Sequence, residues 1–542
     1  MTDGPRPRPS RGGPPLLGVL RLYAHFTWRT SALLALLVVG YIALEVASFR
    51  TAYPDGVSPV QFEIFKDNPA VRLLNGAPAA LDSAGGFTVW DAGWLMQIVL
   101  AVWAVLTTGR LLRGEEDVDR VDLVLATPVR PSAVSGVVMA VLTVESLLVG
   151  LAAAAALGLS GQSWRGAALF GIGLAAVGCT FAAVTAVVTQ LVDVRRRVVA
   201  VGMGLLGAAY VVRMVGNSAD SRLWLRWLTP MGWVDELGPF GADDAAVLIP
   251  IMVVPTGLAL VGIRLREERD AGSALLAPES SGRSRLRLLS SPLAFAWRTS
   301  RGSLAGWTAA LVAFAMVMGA LVGTMIDWIA GDEGYRQILA TMGLDEALTI
   351  KGFVAFLAFA FSLAIGVHIA FRVGAARIEE ESGRLDAVLA RPVGRLRWLG
   401  GHVLLVAASA LGLTAVVGVS MWAGARLAGS SALTLSDTLR SSLNTLPVVA
   451  LVGGLSVALF GLLPRPTVAV PTTLAPAGFV LYLLGPALEW PPWALDLSPF
   501  THLAMVPAEP WHVTGAVVMT GLAVGLVAVG ALGFRGRDIS SG

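Results

Sequence analysis

Apolar windows long enough to cross a bilayer recur along the whole 542-residue chain, and no soluble core can absorb so many. A transmembrane helix needs about 20 mostly apolar residues. Windows of that kind fall at roughly 31–49, 90–112, 134–158, 166–191, 198–215, 245–264, 304–326, 351–373, 398–425, 446–463, 467–486 and 512–534. Composition agrees. The chain is 55% hydrophobic and 14% charged, whereas soluble domains run near 45–50% apolar and about 25% charged. That excludes a soluble globular enzyme. It also excludes a disordered chain, which needs high polarity. Cys179 is the single cysteine, so no disulfide scaffold is available. The fold class predicted is an all-α polytopic membrane protein with about twelve transmembrane helices.

The net charge of +3 looks like a nucleic-acid signal but has a topological origin. Cytoplasmic loops of membrane proteins carry an excess of Arg and Lys. With both termini inside, 29 of the 40 basic residues fall in cytoplasmic segments. The split predicts N-in and C-in with an even number of spans, in a cell membrane. Residues 1–15 are rich in Pro, Arg and Gly and lack an apolar core of their own. They are expected to be a cytoplasmic arm and not a signal peptide.

The chain also repeats itself. Phe26-Thr27-Trp28-Arg29-Thr30-Ser31 returns as Phe295-Ala296-Trp297-Arg298-Thr299-Ser300, an offset of 269. Leu228-Thr229-Pro230 returns as Leu497-Ser498-Pro499 at the same offset. Thr256-Gly257-Leu258-Ala259 returns at Thr520, and Arg269-Asp270 returns as Arg537-Asp538. Ordered matches near half-length mark two tandem six-helix halves. An even span count in each half makes the repeats parallel. The expected organisation is an arm and interfacial helix over 1–30 and a first half over 31–264. A cytoplasmic linker with a second interfacial helix follows over 265–303, then a second half over 304–534 and a tail over 535–542.

The most informative repeat follows the second span of each half. Glu115, Glu116, Asp119, Arg120, Asp122, Leu125-Ala126 and Pro128 are answered by Glu380, Glu381, Arg384, Asp386, Leu389-Ala390 and Pro392. At an offset of 264, Glu116 meets Glu380 and Arg120 meets Arg384. The pattern reads as a short amphipathic helix. Glu116–Arg120 and Glu380–Arg384 are spaced as i,i+4 ion pairs. Val121, Val124 and Leu125 share one face, as do Leu385, Val388 and Leu389. The proline ends the helix before the next span. A single copy could be a solvated loop helix; two copies at matched places favour a docking element.

This motif resembles the segment after the second helix in permeases of ABC type-2 exporters, which have an acidic start, a Gly or Arg, then an L-L-A-x-P-V stretch. With the duplication, the resemblance covers the whole chain as two fused permease halves. It is most similar to actinobacterial permeases that export polyketide antibiotics such as tetronasin. The second copy, with Ser382-Gly383, fits better than the first, where Val118-Asp119 stand.

The resemblance implies that the motif is a coupling helix seated in a groove of a nucleotide-binding subunit. It implies interfacial helices near Leu16–Arg29 and Leu286–Arg298. It implies a substrate path lined by the second and fifth helices of each half. The positions that match are Trp94, Gln97, Trp103, Met203 and Tyr210, then Phe356, Phe359, His368, Phe479 and Tyr482. Aromatic and Met surfaces suit bulky amphipathic compounds, and such residues also serve packing or face lipid. Short outer helices near the Trp-rich segments around Leu228-Thr229-Pro230 and Leu497-Ser498-Pro499 are implied as well.

No G-x-x-x-x-G-K-[ST] occurs, so this chain has no phosphate-cradling P-loop. By the resemblance, ATP and Mg belong to a separate ATPase subunit, expected in two copies, and this chain needs no cofactor. The histidines His25, His368, His402, His502 and His512 are scattered, so neither a metal site nor a catalytic constellation is expected. Glu145 lies mid-way in the third span, either in an interhelical hydrogen bond or in transport. Glu45, Asp91 and Arg213 sit near outer ends.

The expected function is the membrane subunit of an ATP-driven exporter of hydrophobic drugs or antibiotics. Its partners are the ATPase, membrane lipid and the drug, with no nucleic acid. The alternative is a proton-coupled twelve-helix secondary transporter, which needs an intramembrane carboxylate relay.

Overall fold

The computed structural model describes residues 15–54, 56–67, 69–117, 120–269, 273–276, 291–331, 349–486 and 490–539. Every regular element among them is helical. The chain divides into two compact units, Met1–Ser281 and Gly282–Gly542.

The first unit runs α1 (Pro15–Ala52), α2 (Pro59–Asp67), α3 (Pro69–Asn75), α4 (Ala84–Thr108), α5 (Arg120–Leu125), α6 (Pro131–Leu159), α7 (Trp164–Leu191), α8 (Arg195–Asn217), α9 (Pro230–Leu237) and α10 (Leu248–Leu265). The fourth span, α7, is its centre: 78% of its apolar window is buried, against 22% for α10 at the rim. Close approach makes that centre possible. A Cβ at Gly150 of α6 or at Gly171 of α7 would collide with the other's backbone carbonyl, so only glycine fits this crossing.

The second unit runs α11 (Pro292–Gly331), α12 (Ile350–Glu381), α13 (Arg384–Leu389), α14 (Arg395–Leu427), α15 (Leu435–Leu443), α16 (Leu446–Leu462), α17 (Ala469–Leu484), α18 (Pro492–Leu495) and α19 (Val513–Gly536). Its core joins Ile365, Ile369 and Val373 of α12 to Trp398 and Leu413 of α14, Val449 and Phe460 of α16, and Phe534 of α19.

Local chemistry sets the ends. Ser83 and Thr349 cap α4 and α12 by accepting from Gly86 N and Gly352 N, each at 3.0 Å. The repeated Leu-(Thr/Ser)-Pro is also a helix start. Thr229 accepts from Gly232 N at 3.0 Å with Pro230 at the first turn. Ser498 accepts from Phe500 N at 3.2 Å ahead of a short 3-10 turn.

Among the described residues, eleven helices are long and apolar enough to cross a membrane. The expected eleventh span, 467–486, is the exception. There α17 has 16 residues with Pro476 inside it, about 24 Å of helix against a hydrocarbon core of about 30 Å. The expected span 446–463 extends back to Leu435 through α15. Pro447 stands at the helical start after that bend and needs no partner for an amide proton.

The interfacial helices expected before each half are not separate elements. Leu16–Arg29 runs unbroken into the first span as α1, and the helix from Pro292 runs through Trp297 to Gly331. Nothing breaks α1 at residue 30. Thr27 Oγ1 stands 3.0 Å from Tyr23 O, Ser31 returns its hydroxyl to Trp28 O at 3.1 Å, and the ladder stays intact. Residues 286–290, the arm at 1–14 and most of the linker lie outside the described residues.

Candidate functional site

In the first unit α4 passes into a π-helical turn, Gly109–Gly114, before the motif begins. Glu116 then points inward. Its carboxylate accepts from Arg269 Nη2 at 2.6 and 2.8 Å and from Arg113 Nη1 at 2.9 Å. Arg266 Nη2 stands 3.1 Å away. None of these four side chains is more than 5% exposed. Burial pushes the Arg266 guanidinium below its ordinary value; Glu116 opposes this, and the Arg269 and Arg113 charges add to it.

In the second unit α12 runs straight through Glu380 and Glu381. It stops at Ser382 and Gly383, which takes the left-handed conformation at φ 68°. Glu380 accepts from Arg537 at 2.5 and 2.6 Å. Arg537 also lies 5.3 Å from the ring centres of Phe460 and Phe534. Each motif glutamate is thus tied to arginine past the last helix of its own unit: Arg537 directly follows α19, while in the first unit Arg266 directly follows α10 and Arg269 stands four residues after its end. Arg269 and Arg537 are the pair that recurs in the sequence 268 positions apart.

A second contact repeats. Arg113 donates through Nε to Asp193 O at 2.8 Å, and Arg377, 264 positions later, donates to Pro464 O. Asp193 and Pro464 stand 271 apart, each in the turn between the fourth and fifth helices. The end of the second helix is therefore fastened to the 4–5 turn and to the end of the sixth helix in both units.

The i,i+4 pairs Glu116–Arg120 and Glu380–Arg384 do not form. Glu116 stands in the turn after the π-helical stretch and Glu380 near the end of α12, whereas α5 starts at Arg120 and α13 starts at Arg384. Arg120 instead lies 3.8 Å from Glu115, and Arg384 donates to Ser382 Oγ at 2.8 Å. Glu381 pairs with Arg377.

The short helices that follow lie on the surface. Val121 and Leu385 are their buried anchors. Val388 and Leu389 pack half-buried against the second core. Arg120, Leu123 (76% exposed), Ala126, Thr127 and Pro128 face outward in the first unit. Arg384, Asp386, Ala387, Ala390, Arg391 and Pro392 do so in the second. Asp119 and the side chain of Asp122 lie outside the described residues.

The second unit carries one further cluster here. His402 Nδ1 is 3.1 Å from Arg372 Nη2, and its Nε2 is 3.5 Å from Glu379. At 264 positions earlier stand Val138, Thr108 and Glu115, so the first unit does not repeat it.

At the opposite end the units also diverge. In the first, Arg213 of α8 is fully enclosed. It grips Asp235 of α9 at 2.6 and 2.9 Å and donates to Leu74 O at 2.8 Å. Arg213 and Asp235, with Trp90, Trp94 and Gln97, line a cavity of about 70 Å³. Gln97 Oε1 is buried there without a hydrogen-bond partner. Tyr210 meets Trp94 at 5.9 Å.

Tyr482 stands 269 positions after Arg213. It joins Phe359, Phe479 and Phe500 in an aromatic cluster, with Phe356 against Phe479 at 5.9 Å. Trp103 turns to the first helix, donating to Thr30 Oγ1 at 3.2 Å. His368 likewise meets Trp307 of α11 at 5.4 Å. Met203 is half-buried on α8.

Replacing Arg213 by Leu leaves the Asp235 carboxylate without its bidentate partner. Breaking a buried pair from one side costs about 3–5 kcal/mol. The expected result is a lower thermal midpoint in detergent, partly restored when Asp235→Asn is added.

Glu145 accepts from Thr27 Oγ1 at 2.6 Å, joining α6 to α1. Its counterpart Ser409 is buried on α14.

Sequence reasoning did not anticipate two apolar cavities that are matched by the repeat. In the second unit a cavity of about 700 Å³ lies between α14, α16 and α19, lined by Val403, Ala407, Leu411, Leu446, Ala450 and Val524 among others. In the first, Met139, Thr143, Leu147, Ala175, Cys179 and Leu260 line one of about 290 Å³ at the equivalent positions of α6, α7 and α10. The exchanges Met139/Val403, Thr143/Ala407 and Cys179/Ala450 place smaller side chains on the wall of the larger cavity, and Ala175/Leu446 a larger one. Among the described residues no group of three His, Cys, Asp or Glu side chains is placed to hold a metal ion.

Comparison with known proteins adds two findings. The family model described as the C-terminal domain of the multidrug efflux system permease Rv1217c matches residues 24–264 and 289–535. The multidrug efflux system permease protein Rv1217c of Mycobacterium tuberculosis is 33% identical over 533 residues, which covers 96% of this chain and 95% of that protein.

Proposed function

We propose a function from one established premise: the chain belongs to the Rv1217c family of multidrug efflux permeases. It is a multi-pass protein of the cell membrane and a transport subunit. On our reading it is the membrane subunit of an ATP-binding cassette exporter. Two copies of a separate ATPase drive it, and it moves hydrophobic or amphipathic drugs outward. Polyketide antibiotics of the tetronasin kind are the proposed natural cargo.

One observation carries this reading. Two short helices, 264 positions apart, leave the ends of equivalent spans with buried anchors and open outer faces, that of α5 centred on Leu123 and that of α13 charged. A loop helix that only sets orientation needs neither the duplication nor the buried fastening beneath it. The motif end is the cytoplasmic end, because the basic residues concentrate there. ATP and Mg are held by the partner, since this chain has no P-loop. Closure of the ATPase pushes on the outer faces of α5 and α13, and the second helices pass the movement into the membrane. The cargo contacts are the aromatic and polar groups of the second and fifth helices, Trp94, Gln97, Tyr210, Phe356, Phe359, Phe479 and Tyr482. Large apolar area with a few placed polar groups is the usual make-up of a drug-sized site.

The test is isolation of the chain from its native membrane in mild detergent. An ATPase recovered at two copies per chain supports the reading. A chain recovered alone, with dye transport intact in a proton gradient and no ATP, contradicts it.

A further inference from the structure

The ion pair between motif and last helix occurs once in each unit, at matched positions, and in both cases it is short and shielded. Glu380 is 3% exposed and Arg537 17%. An arginine placed just past a helix end has no local need for such a partner. Solvent and the last carbonyls of the helix would satisfy it. Here both arginines reach across to a different helix and meet the carboxylate immediately before the outward-facing motif.

We infer that Arg269 and Arg537 are positioning residues that make the sixth helix of each unit move with its motif helix. The inference rests on the docking reading above and adds a second route to it. Load on the motif then travels along the second helix, to which the motif is covalently joined. It also travels through a carboxylate–guanidinium pair into α10 or α19. At Glu380 the pair is a fork, Arg537 Nη1 and Nη2 each donating to its own carboxylate oxygen, and two parallel hydrogen bonds resist rotation as well as separation; at Glu116 both Arg269 bonds come from Nη2, and Arg113 and Arg266 supply the further contacts. The destination matters: α19 forms one wall of the 700 Å³ apolar cavity, through Thr520, Ala523 and Val524. The equivalent residues of α10, Thr256, Ala259 and Leu260, form a wall of the smaller one. The pair is thus placed to change the width of a membrane-facing cavity when the motif is pushed.

The units differ in how firmly they are clamped. Glu116 is shared by three arginines, and Glu380 by one that also rests on Phe460 and Phe534. Removing Arg537 leaves the aromatic packing in place, so the second unit is where the linkage can be cut without dismantling the fold.

The experiment uses the chain with its ATPase in lipid nanodiscs and proteoliposomes, with Hoechst 33342 as transported probe. A fluorophore is placed at Leu532→Cys, 67% exposed near the end of α19, in a Cys179→Ser background. In the parent, ATP and vanadate shift the fluorophore signal, and dye transport follows ATP hydrolysis. Arg537→Gln should keep ATPase recruitment and basal hydrolysis; its thermal midpoint falls, because the buried Glu380 loses its charged partner, and recovers when Glu380→Gln is added. It should lose the nucleotide-dependent shift and about tenfold of the dye moved per ATP, within the usual span of coupling effects. Arg537→Lys should retain part of both, and the swapped pair Glu380→Arg with Arg537→Glu should restore them. Arg537→Gln with a full shift and full transport per ATP overturns the inference while leaving the docking reading intact. A parent chain that recruits no ATPase overturns the docking reading, and this inference with it.

Discussion

Glu116→Ala lowers the thermal midpoint of the detergent-solubilised chain far more than Glu380→Ala does. The two glutamates are equivalent in the repeat, so sequence symmetry alone predicts equal effects. Their surroundings are not equal. Around Glu116, Arg113, Arg266 and Arg269 are all nearly excluded from solvent, and Asp117 stands 3.7 Å from Arg113 Nε. Deleting the carboxylate leaves three buried cations facing one another. Removal of one partner from a buried ionic cluster costs about 3–5 kcal/mol, mostly through the charge left behind. Around Glu380 a single arginine remains, partly exposed and stacked on two phenylalanines. The measurement is thermal unfolding of both variants side by side. Adding Arg266→Leu to Glu116→Ala should recover part of the loss, because it removes one of the buried cations left without a counter-ion. Equal midpoints for the two single variants contradict the assignment of Glu116 as a shared counter-ion.

Arg384→Glu combined with Asp386→Arg weakens ATPase recruitment by about 30-fold and leaves the thermal midpoint unchanged. Both side chains are exposed, and neither is held by the fold beyond the contact of Arg384 with Ser382. Surface changes of this kind move stability by no more than about 0.5 kcal/mol. At an interface, a charged or apolar anchor contributes about 2 kcal/mol, which is roughly 30-fold in Kd. In the first unit the equivalent change is Leu123→Asp, since Leu123 is the large apolar side chain left open on α5. Titration of the nanodisc-embedded chain with ATPase measures both. Normal recruitment with both units altered removes α5 and α13 from the docking surface.

Much of this was legible in the residues. Span-length apolar windows, the Arg bias and the internal repeat led to an all-helical membrane fold in two related parts, because bilayer thickness and backbone satisfaction leave few alternatives. The motif was legible as a repeated acidic cluster in a chain poor in acid. Its internal wiring was not. The Glu116–Arg120 and Glu380–Arg384 spacings satisfy a helix rule, but the rule presumes one continuous helix, and the turns at Asp117 and Gly383 break it. The actual partners, Arg269 and Arg537, lie about 155 residues away in sequence. Their own recurrence, shared with that of Arg113 and Arg377, was the signal available. The interfacial helices were expected as separate elements from the resemblance, with a basic, Trp-bearing face in support. Amphipathicity fixes what a helix face touches and says nothing about where the helix stops. Among the substrate-path candidates, Trp103 and His368 turn toward the first helix of their unit. Helical spacing fixes a face, and which neighbour packs on that face is decided by tertiary contacts.

The most direct test of the account is dye export from proteoliposomes holding the chain, with and without its ATPase. The account predicts outward movement of Hoechst 33342 only when ATPase, ATP and Mg are all present, unaffected by collapse of the proton gradient. Transport by the chain alone, driven by a proton gradient and indifferent to ATP, contradicts it.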